Sequence, residues 1–314
     1  MEVLSKINQS FTEFDIDEVG IVMTQPPEPP IVIVEKKLGI SQYIIKPLFI
    51  YVLQKFHAIY GTIRKGISSL ALTGDEIISL TRVILLIKGD MPLALAMRKE
   101  LIDIAMICIE DELKFIQIVF PRHPKSPSLW QHRRWVLIRT DFFIANKCLS
   151  KDQIENELKL CSYLADIYPK NYYAWCHRLW VLQYLTRDGL EKELMFTETW
   201  LSSHLTDHSC SSHRNQIVSI LLNNFFSANA NEENVTSIIS VPASANAEEA
   251  IKSESILLSP LQSSGYKLRQ CKNIAGVVFL FECLTVSASM LVDRPGHESL
   301  WYHRRYQLII FSYL

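Results

Sequence analysis

Among seven cysteines there is no C-x-x-C pair, and an odd number fits no closed disulfide framework, so reduced intracellular thiols are expected. Charge of neither sign is in excess. The formal net charge is −1, which gives nucleic acid no electrostatic footing as a partner. Glycine is scarce, ten in 314 residues, and none builds a glycine-rich phosphate loop. No Ser-His-Asp order and no paired carboxylates stand out either. The start "MEVLSKINQS" has neither a signal-peptide core nor a myristoylation glycine, and the end "FSYL" has no prenylation cysteine. The most apolar run, Gly276 to Val292, is short and contains Glu282, which reads as a buried helix and not as a transmembrane segment. These absences describe a soluble cytoplasmic protein, long enough for one large domain or two ordinary ones.

What is present is a repeat. "LWQHRRWVLIR" (129–139), "NYYAWCHRLWVLQYL" (171–185) and "LWYHRRYQLII" (300–310) each carry W-x-H-R: Trp130, His132 and Arg133; Trp175, His177 and Arg178; Trp301, His303 and Arg304. Two weaker copies share the register. One has His213 and Arg214 with Ser211 in the tryptophan's place, and the other has Arg98 and Lys99 with Leu95 there. Successive arginines are 35, 45, 36 and 90 residues apart, the period of stacked helical units. Inside the long last gap, residues 227–264 are rich in Ser, Asn, Ala and Glu and contain no aromatic residue, the composition of a disordered loop insertion. Without those 38 residues the gap is 52, near the other spacings.

Each repeat reads as a helical hairpin. Ser150 and Gln153 form a capping box before a helix with Ile154, Leu158, Cys161, Ala165 and Tyr168 on one stripe, stopped at Pro169. Thr73 and Glu76 form a similar box before "IISLTRVILLI", and Leu190, Leu194, Leu201 and Leu205 stripe another first helix. Five hairpins over 73–314 give an all-α fold, a right-handed solenoid in which each hairpin buries a face against the next. Residues 1–72 differ. "EVGIVM" and "PPIVIVEKK" read as short strands around a "QPPEPP" linker, followed by a buried helix with Pro47 in its first turn, a small N-terminal cap.

On a helix Trp130 shares a face with Arg133 and Leu137, and Trp175 with Arg178 and Leu182. Tryptophan at a helix start fills the wedge between hairpins. Arginine lays its stem across that wedge and takes its guanidinium to a carboxylate or a loop carbonyl. The set is thus a structural signature, not a catalytic one. His204, His208, Cys210 and His213 could be written as a zinc site, but the repeat register already claims His213, and no metal is assigned to this chain.

"PKSPSLWQHRRWVL" and "PKNYYAWCHRLWVL" resemble the alpha-subunit repeat of protein prenyltransferases, P-x-N-Y-x-x-W-x-x-R-x-W, over about three-quarters of the chain. The resemblance implies a crescent of hairpins embracing a prenyltransferase beta subunit, here the Rab-type geranylgeranyltransferase beta subunit, with the zinc and the lipid pocket on that partner. It implies geranylgeranyl diphosphate as co-substrate and proteins with a C-terminal cysteine as substrates. It places Lys125 where the family has a lysine near the diphosphate, although Pro127 replaces a family tyrosine two positions on. It makes Lys170, Asn171 and Tyr172 the family's K-N-Y, with Tyr172 toward isoprenoid or substrate at the subunit seam. A non-catalytic repeat scaffold is the alternative.

Overall fold

The computed structural model describes residues 2–227, 283 and 303–307. Their contacts divide the chain into two compact units, Met1–Tyr168 and Pro169–Leu314, each described by itself.

The first unit opens with α1 (Glu2–Glu13), absent from the expectation above, and a sheet of three strands. β1 (Glu18–Val22) pairs in parallel with β3 (Lys37–Ser41), which pairs antiparallel with β2 (Ile31–Val34). The segment expected as one strand, "PPIVIVEKK", is therefore the first half of a hairpin. Its turn falls at Glu35, which holds φ 55°, a left-handed conformation that sequence reading expects of glycine or asparagine. Val19, Leu38 and Ile40 turn one face of the sheet into the core.

Helix α2 (Gln42–Arg64) buries Leu48, Val52 and Phe56, and Pro47 lies in its second turn, not its first. Helix α3 (Leu70–Ile87) is buried on most of its circumference through Ile77, Leu80, Val83, Ile84, Leu85 and Leu86, because α1, α2 and α4 (Pro92–Asp103) all pack on it. Its cap is Ser69, whose hydroxyl accepts from the Leu72 amide, so Thr73 and Glu76 lie inside the helix and not at a capping box. The next hairpin is α5 (Ile109–Val119) and α6 (Pro127–Leu137), joined through a 3-10 turn, Phe120–Arg122. A short α7 (Asp141–Asn146) leads to α8 (Lys151–Ile167), which starts at the Ser150–Gln153 capping box.

On α8 the buried residues are Glu157, Leu160, Cys161, Leu164 and Ala165. That face is turned from the expected stripe, and the reason is a charge. Glu157 points inward, so Ile154 and Leu158 are only partly covered and Tyr168 stands at the surface.

The second unit holds α9 (Tyr172–Leu182), α10 (Arg187–Ser203) and α11 (His208–Ser227). Leu182, Leu190, Ile217 and Leu221 form its core, with α11 packed on both α9 and α10. The expected insertion at 227–264, the apolar run 276–292 and Trp301 lie outside the described residues, apart from Ser227 and Cys283. Among the described residues the class is helical-hairpin repeats with one small sheet, and no helix is long and apolar enough to cross a membrane.

Candidate functional site

The repeated arginines end on glutamates. On α4, Arg98 reaches Glu112 of α5, its Nε standing 2.9 and 3.0 Å from the two carboxylate oxygens and its Nη2 also bonded to Glu112. On α6, Arg133 reaches Glu157 of α8 through Nε at 2.7 Å and Nη2 at 2.6 Å. On α9, Arg178 grips Glu193 of α10 through Nε and through Nη2, the latter at 2.7 Å. Every one of these groups is buried. The arginine also ties down its own hairpin: Arg133 donates to the Leu113 carbonyl at 3.1 Å, and Arg214 to the Leu194 carbonyl and the Thr197 hydroxyl.

Histidine completes the set. The Nε2–H of His132 donates to Glu112 at 2.8 Å, and that of His213 to Glu193 at 2.8 Å. A carboxylate can only accept, so Nε2 carries the proton, and Nδ1 of both rings faces the interior with no partner. Burial pushes both imidazoles below the ordinary histidine range despite the glutamate bond, which keeps them neutral. Burial raises the Glu112 and Glu193 carboxyls, but the arginine and then the histidine bond outweigh it and hold both at about 2. Phe115 and Phe196, each three residues after its glutamate, lie under the guanidinium carbons of Arg98 and Arg178 at 4.6 and 4.1 Å.

The three glutamates stand 20 residues before His132, His177 and His213, a register visible in the sequence but missed there. His177 is likewise fully buried. In the last repeat that register falls on Cys283, twenty residues before His303. There Nε of Arg214 and Nδ1 of His303 have no hydrogen-bond partner, and burial with the nearby Arg214 charge pushes the His303 imidazole down to about 3.

The tryptophans are wedges. Trp130 is buried on Phe120, ring centroids 4.2 Å apart, and its indole N–H donates to the Pro124 carbonyl. Trp175 is buried against Trp200 of α10 and His213 of α11, and its indole N–H donates to Asp207 at 3.0 Å. Asp207 accepts a second indole from Trp200, and its other oxygen caps the Ser209 and Cys210 amides.

The loop residues sit differently. Lys125 and Lys170 are both exposed, each five residues before the buried tryptophan and one residue before a helix cap. The caps are Ser126, accepting from the Leu129 amide, and Asn171, accepting from the Ala174 amide. Asn171 is fully buried in that role. Tyr172 is 39% exposed and stacks edge-on to Tyr173. Lys170 holds φ 59° and lines a cavity of about 360 Å³ with the turn from Ser203 to Asp207. In that turn the His204 ring lies flat on Trp200, while on α11 Cys210 is buried and His213 is engaged by Glu193. Among the described residues no group of His, Cys, Asp or Glu could hold a metal ion.

Residues 109–140 and 154–185 match the family described as Protein prenyltransferase alpha subunit repeat. The chain is 31% identical to Protein prenyltransferase alpha subunit repeat-containing protein 1-B of Xenopus laevis over 312 residues, 93% of this chain and 67% of that protein. It is 30% identical to Protein prenyltransferase alpha subunit repeat-containing protein 1 of Homo sapiens over 312 residues, 93% of this chain and 72% of that protein. Its identity to the Danio rerio protein of the same name is 28%, over 93% of this chain and 67% of that protein.

Proposed function

The chain belongs to the family of protein prenyltransferase alpha subunit repeat-containing proteins, and from that premise we propose that it is the non-zinc alpha subunit of a heterodimeric protein geranylgeranyltransferase. The observation that carries the reading is the pairing of a repeated internal architecture with two exposed lysines in one register. Tryptophan, histidine and arginine are consumed in packing, whereas Lys125 and Lys170 are exposed in the turns before α6 and α9, and the resemblance to prenyltransferase alpha subunits would set Lys125 near the diphosphate.

The partner, proposed to be the Rab-type beta subunit, would hold the zinc and the isoprenoid. A zinc held there would lower the pKa of the substrate cysteine. The sulfur–carbon bond to the first isoprenoid carbon forms as the carbon–oxygen bond to diphosphate breaks. An exposed lysine at that point offsets the charge growing on the departing diphosphate, which is worth more in the transition state than in the ground state. Tyr172 presents a half-exposed phenol beside Lys170 for the isoprenoid or the protein substrate.

A second reading has its own observation. The same register places Asp90 and Thr206 in the neighbouring turns, so lysine is not kept in every repeat, as suits a non-catalytic scaffold. Co-expression with the Rab-type beta subunit separates the two. A 1:1 complex by light scattering, containing one zinc and transferring geranylgeranyl to a protein with a C-terminal cysteine, supports the enzyme. A chain that elutes alone, with no transfer, leaves the scaffold.

A further inference from the structure

The turn that carries Lys125 holds a second cation three residues earlier. Arg122 closes the 3-10 turn Phe120–Arg122 and is half-buried, whereas Lys125 is exposed. Among the described residues Arg122 makes no hydrogen bond and no ion pair with a carboxylate. Burial pulls its guanidinium below the ordinary arginine range, and the one charge partner that acts against this is the Tyr168 phenol. That contrasts with Arg98, Arg133 and Arg178, each answered by a buried glutamate. A half-buried cation without an acid is costly to keep unless something else answers it.

The backbone under both cations is fixed. Trp130 donates its indole N–H to the Pro124 carbonyl at 2.9 Å and lies on Phe120, ring centroids 4.2 Å apart. The His123 amide donates to the Phe120 carbonyl at 2.9 Å, and the Ser126 amide to the His123 carbonyl at 3.1 Å. The His123 ring donates through Nε2 to the Leu86 carbonyl at 3.3 Å. Burial, joined by the Arg122 charge and opposed by the Leu86 bond and by Asp90, holds that ring below the ordinary histidine range, so it is neutral. Helix α8 packs on the 3-10 turn and ends at Tyr168, 38% exposed. Arg122 and Lys125 are three peptide units apart, at most about 11 Å between their Cα atoms. Both side chains are long, so one anion can meet the two of them.

The repeat register shows how particular this pair is. Arg122 stands eleven residues before Arg133, and the same place holds Ile87 before Arg98, Ile167 before Arg178 and Ser203 before Arg214. Of these four turns the Lys125 turn alone joins the register lysine to an arginine, while the Lys170 turn has isoleucine there. A diphosphate spreads its charge over two phosphoryl groups, which one ammonium meets only as a point charge. A planar guanidinium adds a two-pronged grip on phosphoryl oxygens. We propose that Arg122 and Lys125 together hold the diphosphate of the isoprenoid co-substrate, Arg122 being the second cation for that leaving group. The inference rests on the prenyl-transfer reading and deepens it. As the carbon–oxygen bond breaks, the two cations on a fixed turn take up the charge left on the diphosphate.

The test is steady-state geranylgeranyl transfer by the heterodimer with the Rab-type beta subunit, with inorganic diphosphate as product inhibitor. Arg122→Gln is expected to lower kcat about tenfold or more and to weaken diphosphate inhibition several-fold, with the KM for the protein substrate unmoved. Arg122→Lys should recover part of both. Should Arg122→Gln fail to assemble by gel filtration, Arg122→Met, which keeps the packed stem and removes the charge, stands in for it. Full-speed transfer with undiminished diphosphate inhibition overturns the inference and leaves the prenyl-transfer reading standing. Slowed transfer with unchanged diphosphate inhibition makes Arg122 a structural residue of the turn and overturns it too. If the wild-type chain supports no transfer at all, that reading fails, and calorimetric titration of the full chain with sodium diphosphate, against sodium phosphate, decides the anion site. Saturable diphosphate binding that is lost in Arg122→Gln keeps the site, and its absence overturns it.

Discussion

Arg178 and Glu193 form a two-pronged ion pair between α9 and α10 with side chains only 4% and 3% exposed. The same Glu193 oxygen that faces Nε of Arg178 also receives His213, so one carboxylate ties three helices. Charges so far from water gain stability only as a complete set, since the desolvation of each must be repaid by the others. Such a set fixes which residue meets which, and thereby the register of one hairpin on the next.

Breaking that set should cost more than replacing it. Glu193→Gln leaves Arg178 buried and uncompensated and is expected to destabilise the protein by about 3–5 kcal/mol. The double variant Arg178→Met/Glu193→Leu removes both charges and should lose less than Glu193→Gln alone. Urea unfolding of the wild type, Glu193→Gln, the double variant and its singles Arg178→Met and Glu193→Leu measures this. A double variant at least as unstable as the sum of those two singles would remove the coupling between the two residues.

Much of this was legible and some was not, for physical reasons. The tryptophan and arginine positions announced the hairpins because large and cationic side chains recur at a fixed period. The partner glutamates recur at the same period, yet a carboxylate reads as a surface residue until its arginine is known. That is why the inward face of α8 was misplaced around Glu157. The β2–β3 turn was missed because Glu35 adopts a left-handed conformation without glycine or asparagine to mark it. Asn171 matched a family motif, but the motif's asparagine is here the helix cap, a role that alignment alone does not reveal.

Acid should weaken the fold in two stages. His132, His213 and His303 all titrate below the ordinary value of 6.5 in the folded protein, so the unfolded chain binds their protons first. Stability is therefore full above pH 6.5 and falls as pH drops through it, for His303 down to about 3. At 1.36 kcal/mol per pKa unit, His303 alone accounts for at most roughly 5 kcal/mol. Glu112 and Glu193, held at about 2, add a second loss below the unfolded value of 4.5. The thermal midpoint should be level from pH 7 to 8.5 and decline steadily from 6.5 downward. A midpoint that stays flat to pH 5 would show that these histidines are solvated.

Cys283 occupies the position that is glutamate in the preceding repeats. Cys283→Glu should give Arg214 Nε the acceptor it lacks and raise the His303 pKa from about 3 toward the ordinary range. Hydrogen bonds to charged groups are worth about 1.5–3 kcal/mol, so a gain of about 1 kcal/mol should survive the extra bulk. Cys283→Gln, of nearly the same shape without the charge, should gain less. NMR titration of His303 together with thermal unfolding reads both effects. A less stable Cys283→Glu protein with an unmoved His303 would mean that the register does not extend to the last repeat.

Lys125 tests the catalytic reading most directly. It precedes the cap of α6 on an exposed turn, and its neighbours Ser126 and Trp130 are committed to packing, so its removal should leave the fold intact. A cation that faces the departing diphosphate stabilises the transition state more than the bound substrate, so its loss should lower kcat more than it raises KM. In a heterodimer with the beta subunit, Lys125→Ala is expected to slow geranylgeranyl transfer about tenfold or more, which corresponds to about 1.4 kcal/mol. Lys125→Arg keeps the charge and should recover part of that rate, while Lys170→Ala reports whether the second lysine in the register shares the role. The measurement is steady-state transfer to a protein ending in cysteine, with complex integrity checked by gel filtration. Full-speed transfer by Lys125→Ala in an intact heterodimer would make this lysine a solvated loop residue and confine the chain's contribution to shape.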